Sequence, residues 1–187
     1  MSKKVIIGLV GDLAAGKGLL TAYLKEKYGV NGYRFSTILR DILDRLYLPQ
    51  QRDFQQKLST LLRENFSQDI LGRIIAEDVK HDPNDLVLVD GIRRASDITY
   101  LSQLPGFSLV YLTADPKIRW ERLIARDENP GDAQKTFEQF LQDEQTEADR
   151  TIKATGATAK YTLENNGTVE EIQQKIDELV QKLKNNV

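Results

Sequence analysis

The stretch Gly11-Asp12-Leu13-Ala14-Ala15-Gly16-Lys17-Gly18 has residue types and spacing suited to holding a phosphate. It fits the pattern G-x-x-x-x-G-K, with Gly where Ser or Thr is usual. Glycines let the chain turn tightly, so that successive backbone N–H groups point inward around an anion. Lys17 adds a point charge for the outer phosphoryl oxygens. A helix starting here would add unsatisfied N–H groups and the positive end of its dipole. Leu19 closes the loop, and neither it nor Gly18 carries the hydroxyl that would ligate Mg²⁺ directly. Mg²⁺ is therefore expected to sit on the nucleotide's own oxygens and on water, or else the chemistry is slow.

Two more groups of residues suit the same chemistry. Leu86-Val87-Leu88-Val89-Asp90-Gly91-Ile92-Arg93 puts a carboxylate at the end of a buried apolar run, where it can hold water on Mg²⁺. The plainer readings are a helix N-cap for Asp90 and a surface charge for Arg93. Arg119, Arg122 and Arg126 recur at helical spacing, within roughly 60° of one another around the axis, beside apolar Trp120, Leu123 and Ile124. Guanidinium forks suit a charge spread over several phosphoryl oxygens. The plainer reading, preferred for Arg119, is a solvated stripe pairing with Glu121, Asp127 or Glu128. The single histidine, His81, reads as a solvated turn residue.

These groups need a scaffold, and the pattern of the chain supplies one. Apolar runs at Val5–Val10, Tyr33–Phe35, Leu86–Val89, Leu109–Leu112 and Thr158–Leu163 alternate with longer helical patterns, as in an α/β protein with a parallel sheet. Helical periodicity is clear over residues 50–66, where Phe54, Leu58, Leu61, Leu62 and Phe66 share a face, and near the C-terminus. Thr168 with Glu171 offers a capping box for that last helix. Asp115-Pro116 is an N-cap and first-turn pair for a helix over 116–126. Asn31-Gly32 and Asn166-Gly167 read as turns. Residues 37–85 are too long for a bare crossover and form a helical insertion over the sheet. Residues 127–136, with Glu128-Asn129-Pro130-Gly131-Asp132, read as a short lid.

Composition narrows the classes. A chain of 187 residues fits a single domain. The absence of cysteine excludes disulfide scaffolds, thiolate metal sites and a cysteine nucleophile, and one histidine argues against a metal cluster or a Ser-His-Asp triad. A formal net charge of −2 argues against broad nucleic-acid binding. Val5–Val10 is shorter than a signal-peptide core, and no run approaches the ~20 apolar residues of a membrane span. The expectation is a cytoplasmic protein without membrane or nucleic-acid partners, as monomer or homodimer. A switch GTPase is disfavoured, since no Asn-Lys-x-Asp motif is present.

Gly16-Lys17-Gly18 resembles the phosphate loop of adenylate kinases and related nucleoside monophosphate kinases, which usually continue with Thr where this chain has Leu19. Asp90-Gly91-Ile92-Arg93 resembles their Asp-Gly-x-x-Arg with one position closed up, which implies that Arg93 grips the acceptor phosphate. Ser36-Thr37-Ile38-Leu39-Arg40 is similar to a family segment two residues longer, and implies acceptor contacts from Ser36 and Arg40, with Arg73 in the same pocket. Glu121–Arg126 resembles the helix before the lid, whose arginines, here Arg122 and Arg126, embrace the transferring phosphoryl group. Asn165-Asn166-Gly167 resembles the loop that packs against adenine, although a plain turn and helix cap fits equally. Past the lid the likeness weakens. Asp143-Glu144-Gln145-Thr146-Glu147 stands where further arginines are usual, and looks more like dephospho-coenzyme A kinase-like proteins of archaea and bacteria. The resemblance implies a P-loop NTPase three-layer sandwich with five parallel strands in order 2-3-1-4-5. It implies transfer of the ATP γ-phosphoryl group, with Mg²⁺ as cofactor, to a nucleoside monophosphate or similar small nucleotide. A dephospho-coenzyme A kinase-like enzyme and a weakly catalytic nucleotide-binding module are the alternatives.

Overall fold

The computed structural model describes residues 4–127, 131–145 and 147–186, with side chains of 147–149 left aside. Strand β1 (Val5–Gly11) is entirely buried, because a central strand of a parallel sheet is covered on both faces. Its alternation decides which side each residue serves. Val5, Ile7 and Leu9 pack with α1 (Lys17–Tyr28) and α9 (Val169–Asn185), through Leu20, Leu24, Ile172, Ile176 and Val180. Ile6 and Val10 join the opposite core with Leu39 of α2 (Phe35–Arg45) and Leu71, Ile75 and Val79 of α4 (Ile70–His81).

The other strands are β2 (Asn31–Arg34), β3 (Leu86–Ile92), β4 (Phe107–Thr113) and β5 (Tyr161–Glu164). All pairings are parallel and the order is β2-β3-β1-β4-β5. The doubly wound α/β architecture and the strand order are as expected. Such a sheet gathers the carboxyl ends of its strands at one rim, where α/β folds bind ligands.

Several local expectations are corrected. Asn31-Gly32 is not a turn but the start of β2, because Gly29 in the left-handed region has already ended α1. Phe35 opens α2 rather than closing the strand. The last strand starts at Tyr161 rather than Thr158, since the chain leaving α8 (Glu147–Gly156) is held in turns, with the Thr158 and Ala159 N–H groups on the Thr155 and Gly156 carbonyls. His81 ends α4, exposed, its Nδ1 2.8 Å from the Glu77 carbonyl. The insertion is helical, as expected, and adds α3 (Arg52–Asn65), but Leu61 (57% exposed) and Phe66 (73%) do not join its buried face.

The rim away from the phosphate loop is closed by Asp82. Its carboxylate accepts from Tyr33 Oη (2.6 Å), Asn31 Nδ2 (2.5 Å), and the backbone and side-chain nitrogens of Asn84 (both 2.7 Å). Burial works against its charge, but these donors outweigh it and hold its pKa at about 2. Lys4 Nζ donates to the carbonyls of Val79 and Asp82 beside it.

Candidate functional site

The loop between β1 and α1 is shaped by close approaches. A Cβ at Gly11 would stand 2.7 Å from the Leu112 carbonyl, and one at Gly16 would stand 2.5 Å from Asn165 Nδ2. Gly16 also has φ +101°, a conformation that side chains resist. Asn165 is buried between β5 and α9 and donates to the Ala15 carbonyl at 2.8 Å, so it props the loop from behind. The N–H of Asp12 donates to Leu112 and that of Ala15 to Asp12, which spends two of the expected phosphate donors inside the protein. The first intrahelical donor is Leu20, bonded to the Gly16 carbonyl. The N–H groups of Gly16, Lys17, Gly18 and Leu19 therefore have no helical acceptor and are the ones a phosphate can take.

Asp12 faces away from that nest. It is buried, and its carboxylate accepts from Tyr111 Oη at 2.7 Å and Thr113 Oγ1 at 2.6 Å. Burial, then the bond to Asp12, pushes the Tyr111 hydroxyl up to about 12. Lys17 Nζ lies back on the loop, donating to the carbonyls of Gly11 (2.6 Å) and Asp12 (2.7 Å). Burial lowers its pKa to about 8; the charges of Asp90 and Asp12 oppose this, while Arg93 and Arg126 add to it. Three expected site residues, Asp90, Arg93 and Arg126, thus act on the same lysine.

Asp90 is no helix cap. It is buried near the end of β3, in register with Arg34 of β2, and forms an ion pair to Arg34 Nε at 3.0 Å. The next residue, Gly91, has φ +85° and coincides with a register shift against β1, where Leu9 faces Asp90 and Val10 faces Ile92. This bulge turns the chain into exposed Arg93. Asp97, at the end of the first turn of α5 (Ala95–Ile98), fixes that turn: its Oδ2 accepts the N–H groups of Arg93 (3.0 Å) and Arg94 (3.1 Å). Its Oδ1 takes Arg63 Nη2 of the insertion at 2.9 Å, and both residues are buried.

Helix α6 (Pro116–Arg126) carries the arginine stripe. Arg119 is not solvated as expected but 2% exposed. Its Nε donates to the Ala114 carbonyl (2.8 Å) and its Nη1 reaches Glu144 at 2.5 Å, while the group stacks over Phe140 of α7 (Phe137–Asp143). Nε also lies 4.0 Å from Asp12, so Arg119 ties the loop to the chain beyond the lid. Glu144 in turn meets Lys153 of α8 at 3.3 Å. That is what Glu144 of the acidic stretch does here. Arg122 keeps a buried Nη1 with no partner, and Arg126 is exposed at the helix end. Residues 128–130 of the expected lid lie outside the described residues. On either side of them, Asp127 accepts from the Ala133 N–H (3.2 Å) and Trp120 Nε1 donates to the Lys135 carbonyl (2.8 Å).

The remaining expected residues are more scattered. Ser36 is half-buried at the start of α2, and Arg40 and Arg73 are exposed on α2 and α4. Asn166 accepts the Asp115 N–H at 2.7 Å, and Gly167 leaves room for the Glu171 carboxylate that caps α9. These two thus serve the turn-and-cap reading directly. Among the described residues no group of three or more His, Asp or Glu could hold a metal ion. Mg²⁺ would therefore have to arrive on nucleotide oxygens, and Asp90 is the carboxylate that would face it through water. Arg34, Arg63, Asp97 and Glu144 were not singled out from sequence as site residues.

Sheet order, loop and arginine helix together define a P-loop, kinase-like nucleotide-binding fold. Residues 7–149 match the family model described as an AAA domain (AAA_18), and the chain belongs to that family. It is 28% identical over 180 residues to a protein of Hyperthermus butylicus named only UPF0200 protein, covering 96% of this chain and 95% of that one. Its fold is similar to shikimate kinase from Bacteroides thetaiotaomicron, with a TM-score of 0.62 at 19% identity over 95% of this chain and 98% of that one. It is likewise similar to TT1252 from Thermus thermophilus, with a TM-score of 0.60 at 18% identity over 97% and 98%. Among the described residues no helix is long and apolar enough to cross a membrane.

Proposed function

We propose that this protein is an ATP-dependent phosphotransferase that moves the γ-phosphoryl group of Mg-ATP to a nucleoside monophosphate or a similar small nucleotide. The observation that carries this reading is a phosphate loop whose residue 16–19 N–H groups have no helical acceptor, with the orphaned Arg122 Nη1 on the helical stripe that Arg119 anchors against that loop. A donor alone is served by the loop and Lys17. The further arginines suit a second anionic group and the charge that spreads over the phosphoryl oxygens in transfer.

In this reading the N–H groups of residues 16–19 cradle the donor phosphates, and Lys17 leaves the Gly11 and Asp12 carbonyls to follow the transferring group. Arg122 and Arg126 neutralise that group, and Arg93 holds the acceptor. Ser36, Arg40 and Arg73 border the acceptor side on the insertion. Asp90 would hold water on the magnesium that arrives with ATP, which when bound would draw charge from the β- and γ-oxygens. A phosphate acceptor is already ionised as a nucleophile, so no base is required, and none stands at the end of β2, where Arg34 and Ser36 lie.

ADP release from Mg-ATP, measured against AMP, CMP, UMP, GMP, the deoxynucleotides and dephospho-coenzyme A, tests this. Strong stimulation by one nucleoside monophosphate is expected, with Lys17→Ala lowering turnover by about 10²–10³ or more. Stimulation by dephospho-coenzyme A alone would replace the acceptor. A flat panel with intact ATP binding would make the protein a binding module.

A further inference from the structure

Three ion pairs brace the rim that carries the loop, and they differ in how easily they open. Arg63–Asp97 has side chains 9% and 4% exposed, and Arg119–Glu144 has 3% and 7%. Parting either would strand a charge in the interior, which is strongly unfavourable. Arg34–Asp90 is different: the arginine side chain is 48% exposed while the carboxylate is 12% exposed. Water can take over the guanidinium, so on the arginine side this pair opens more readily than the other two, while the buried Asp90 carboxylate still needs a counter-charge when it is released. It is also the pair whose carboxylate the phosphotransfer reading needs elsewhere.

Strand register explains why the two meet. Arg34 is the last residue of β2 and Asp90 its direct partner on β3, so their side chains leave the sheet on the same face at its ligand-binding rim. Beyond Arg34 the chain turns at once into α2 of the insertion, which carries Ser36 and Arg40. Beyond Asp90 the Gly91 bulge leads to Arg93. Arg34 thus ties the Asp90 carboxylate to the strand end from which the insertion departs.

We propose that Arg34 is a positioning residue that holds Asp90 in the nucleotide-free protein, releases it when Mg-ATP is bound, and then serves the anionic group of the acceptor. This rests on the phosphotransfer reading above, and gives it an order: the acceptor side gains its additional cation only once the donor side has claimed Asp90. The two halves of the site are coupled through one exposed, detachable guanidinium.

The test compares binding of a non-hydrolysable ATP analogue with and without Mg²⁺ by calorimetry, in the wild type, Arg34→Ala, Arg34→Lys, Asp90→Asn and the Arg34→Ala/Asp90→Asn double variant. Removing Arg34 leaves buried Asp90 without its counter-charge in advance, so the gain in affinity from Mg²⁺ is expected to rise at least severalfold. Arg34→Lys should return it toward the wild-type value, and with Asp90→Asn present, Arg34→Ala should have no effect. A Mg²⁺ gain unchanged by Arg34→Ala overturns the proposal and leaves the phosphotransfer reading intact. Analogue binding with no Mg²⁺ dependence in the wild type overturns that reading itself. In turnover with the acceptor that gives the strongest ADP release, Arg34→Ala is expected to raise the acceptor KM severalfold more than it lowers kcat. An unchanged KM removes the acceptor role.

Discussion

Raising the pH should weaken nucleotide binding through Lys17 alone. In the free protein burial holds its pKa at about 8 against an ordinary 10.5. Triphosphate oxygens around the ammonium restore a value near or above the ordinary one, so binding is coupled to proton uptake. Taking about 8 for the free protein and about 10.5 for the complex, affinity falls about tenfold between about pH 7 and about pH 9. At about pH 8.5 roughly three-quarters of a proton is taken up per nucleotide bound. The sign for folding is the opposite: the unfolded chain keeps the proton longer, so stability of the free protein rises with pH from about 8 to about 10.5. Calorimetric titration with ATP in buffers of different ionisation enthalpy reads both affinity and proton count. Lys17→Met should bind weakly and without this pH dependence. A wild-type affinity that stays flat from about pH 7.5 to about 9.5 would refute the link between burial of Lys17 and its use on phosphate.

Two stability comparisons address the frame of the site. Asp97→Ala strands buried Arg63 and frees the N–H groups of Arg93 and Arg94, so it should cost about 3–5 kcal/mol and lower the Tm by roughly 10 °C. A change within about 2 °C in calorimetry would show that the pair braces nothing. Gly16→Ala forces a side chain into positive φ against Asn165, and should lower the Tm and at least tenfold the affinity for ATP, on the order of 1–3 kcal/mol. Gly18→Ala meets nothing within 4 Å on the second residue of α1 and should raise the Tm, gaining up to about 1 kcal/mol of helix propensity. Equal Tm changes in the two variants would contradict the loop geometry.

The phosphate loop was legible in the sequence because its function is written in contiguous residues: glycines, a lysine, an apolar strand before and a helix after. Strand order followed from a resemblance. Boundaries did not follow where the signals are short: β2 has only four residues, and Asn31-Gly32 carries a stronger turn signal than Gly29, the residue that in fact ends α1. The ion pairs were illegible for a different reason. Arg34 and Asp90, Arg63 and Asp97, Arg119 and Glu144 are joined only by the way strands and helices dock, and neither the spacing nor the type of an exposed-looking arginine reveals its partner. Arg119 is instructive. Its helical spacing with Arg122 and Arg126 put all three on one stripe, yet the stripe runs from the core to solvent, so one arginine braces the loop, one is half-buried with an orphaned nitrogen, and one is exposed.

That division bears on whether the acidic stretch after the lid signals a failing catalyst. Were Glu144 on the surface, the segment would merely replace useful arginines with carboxylates. It is buried instead, saturating Arg119 on one oxygen and Lys153 on the other. Arg119 needs such a counter-charge because it is inside, and it is inside because it reaches both Asp12 and the Leu13 carbonyl of the loop. The carboxylate therefore belongs to the support of the nest, and its removal would cost the loop its brace rather than free an arginine for catalysis. In our reading, cations for a transferring group then come from elsewhere: Arg93 off the bulge, Arg122 and Arg126 off the helix, and Arg34 once Asp90 lets it go. On this arrangement a missing arginine past the lid is compensated by one at the end of β2, on the acceptor side of the sheet, where its presence depends on the donor being bound.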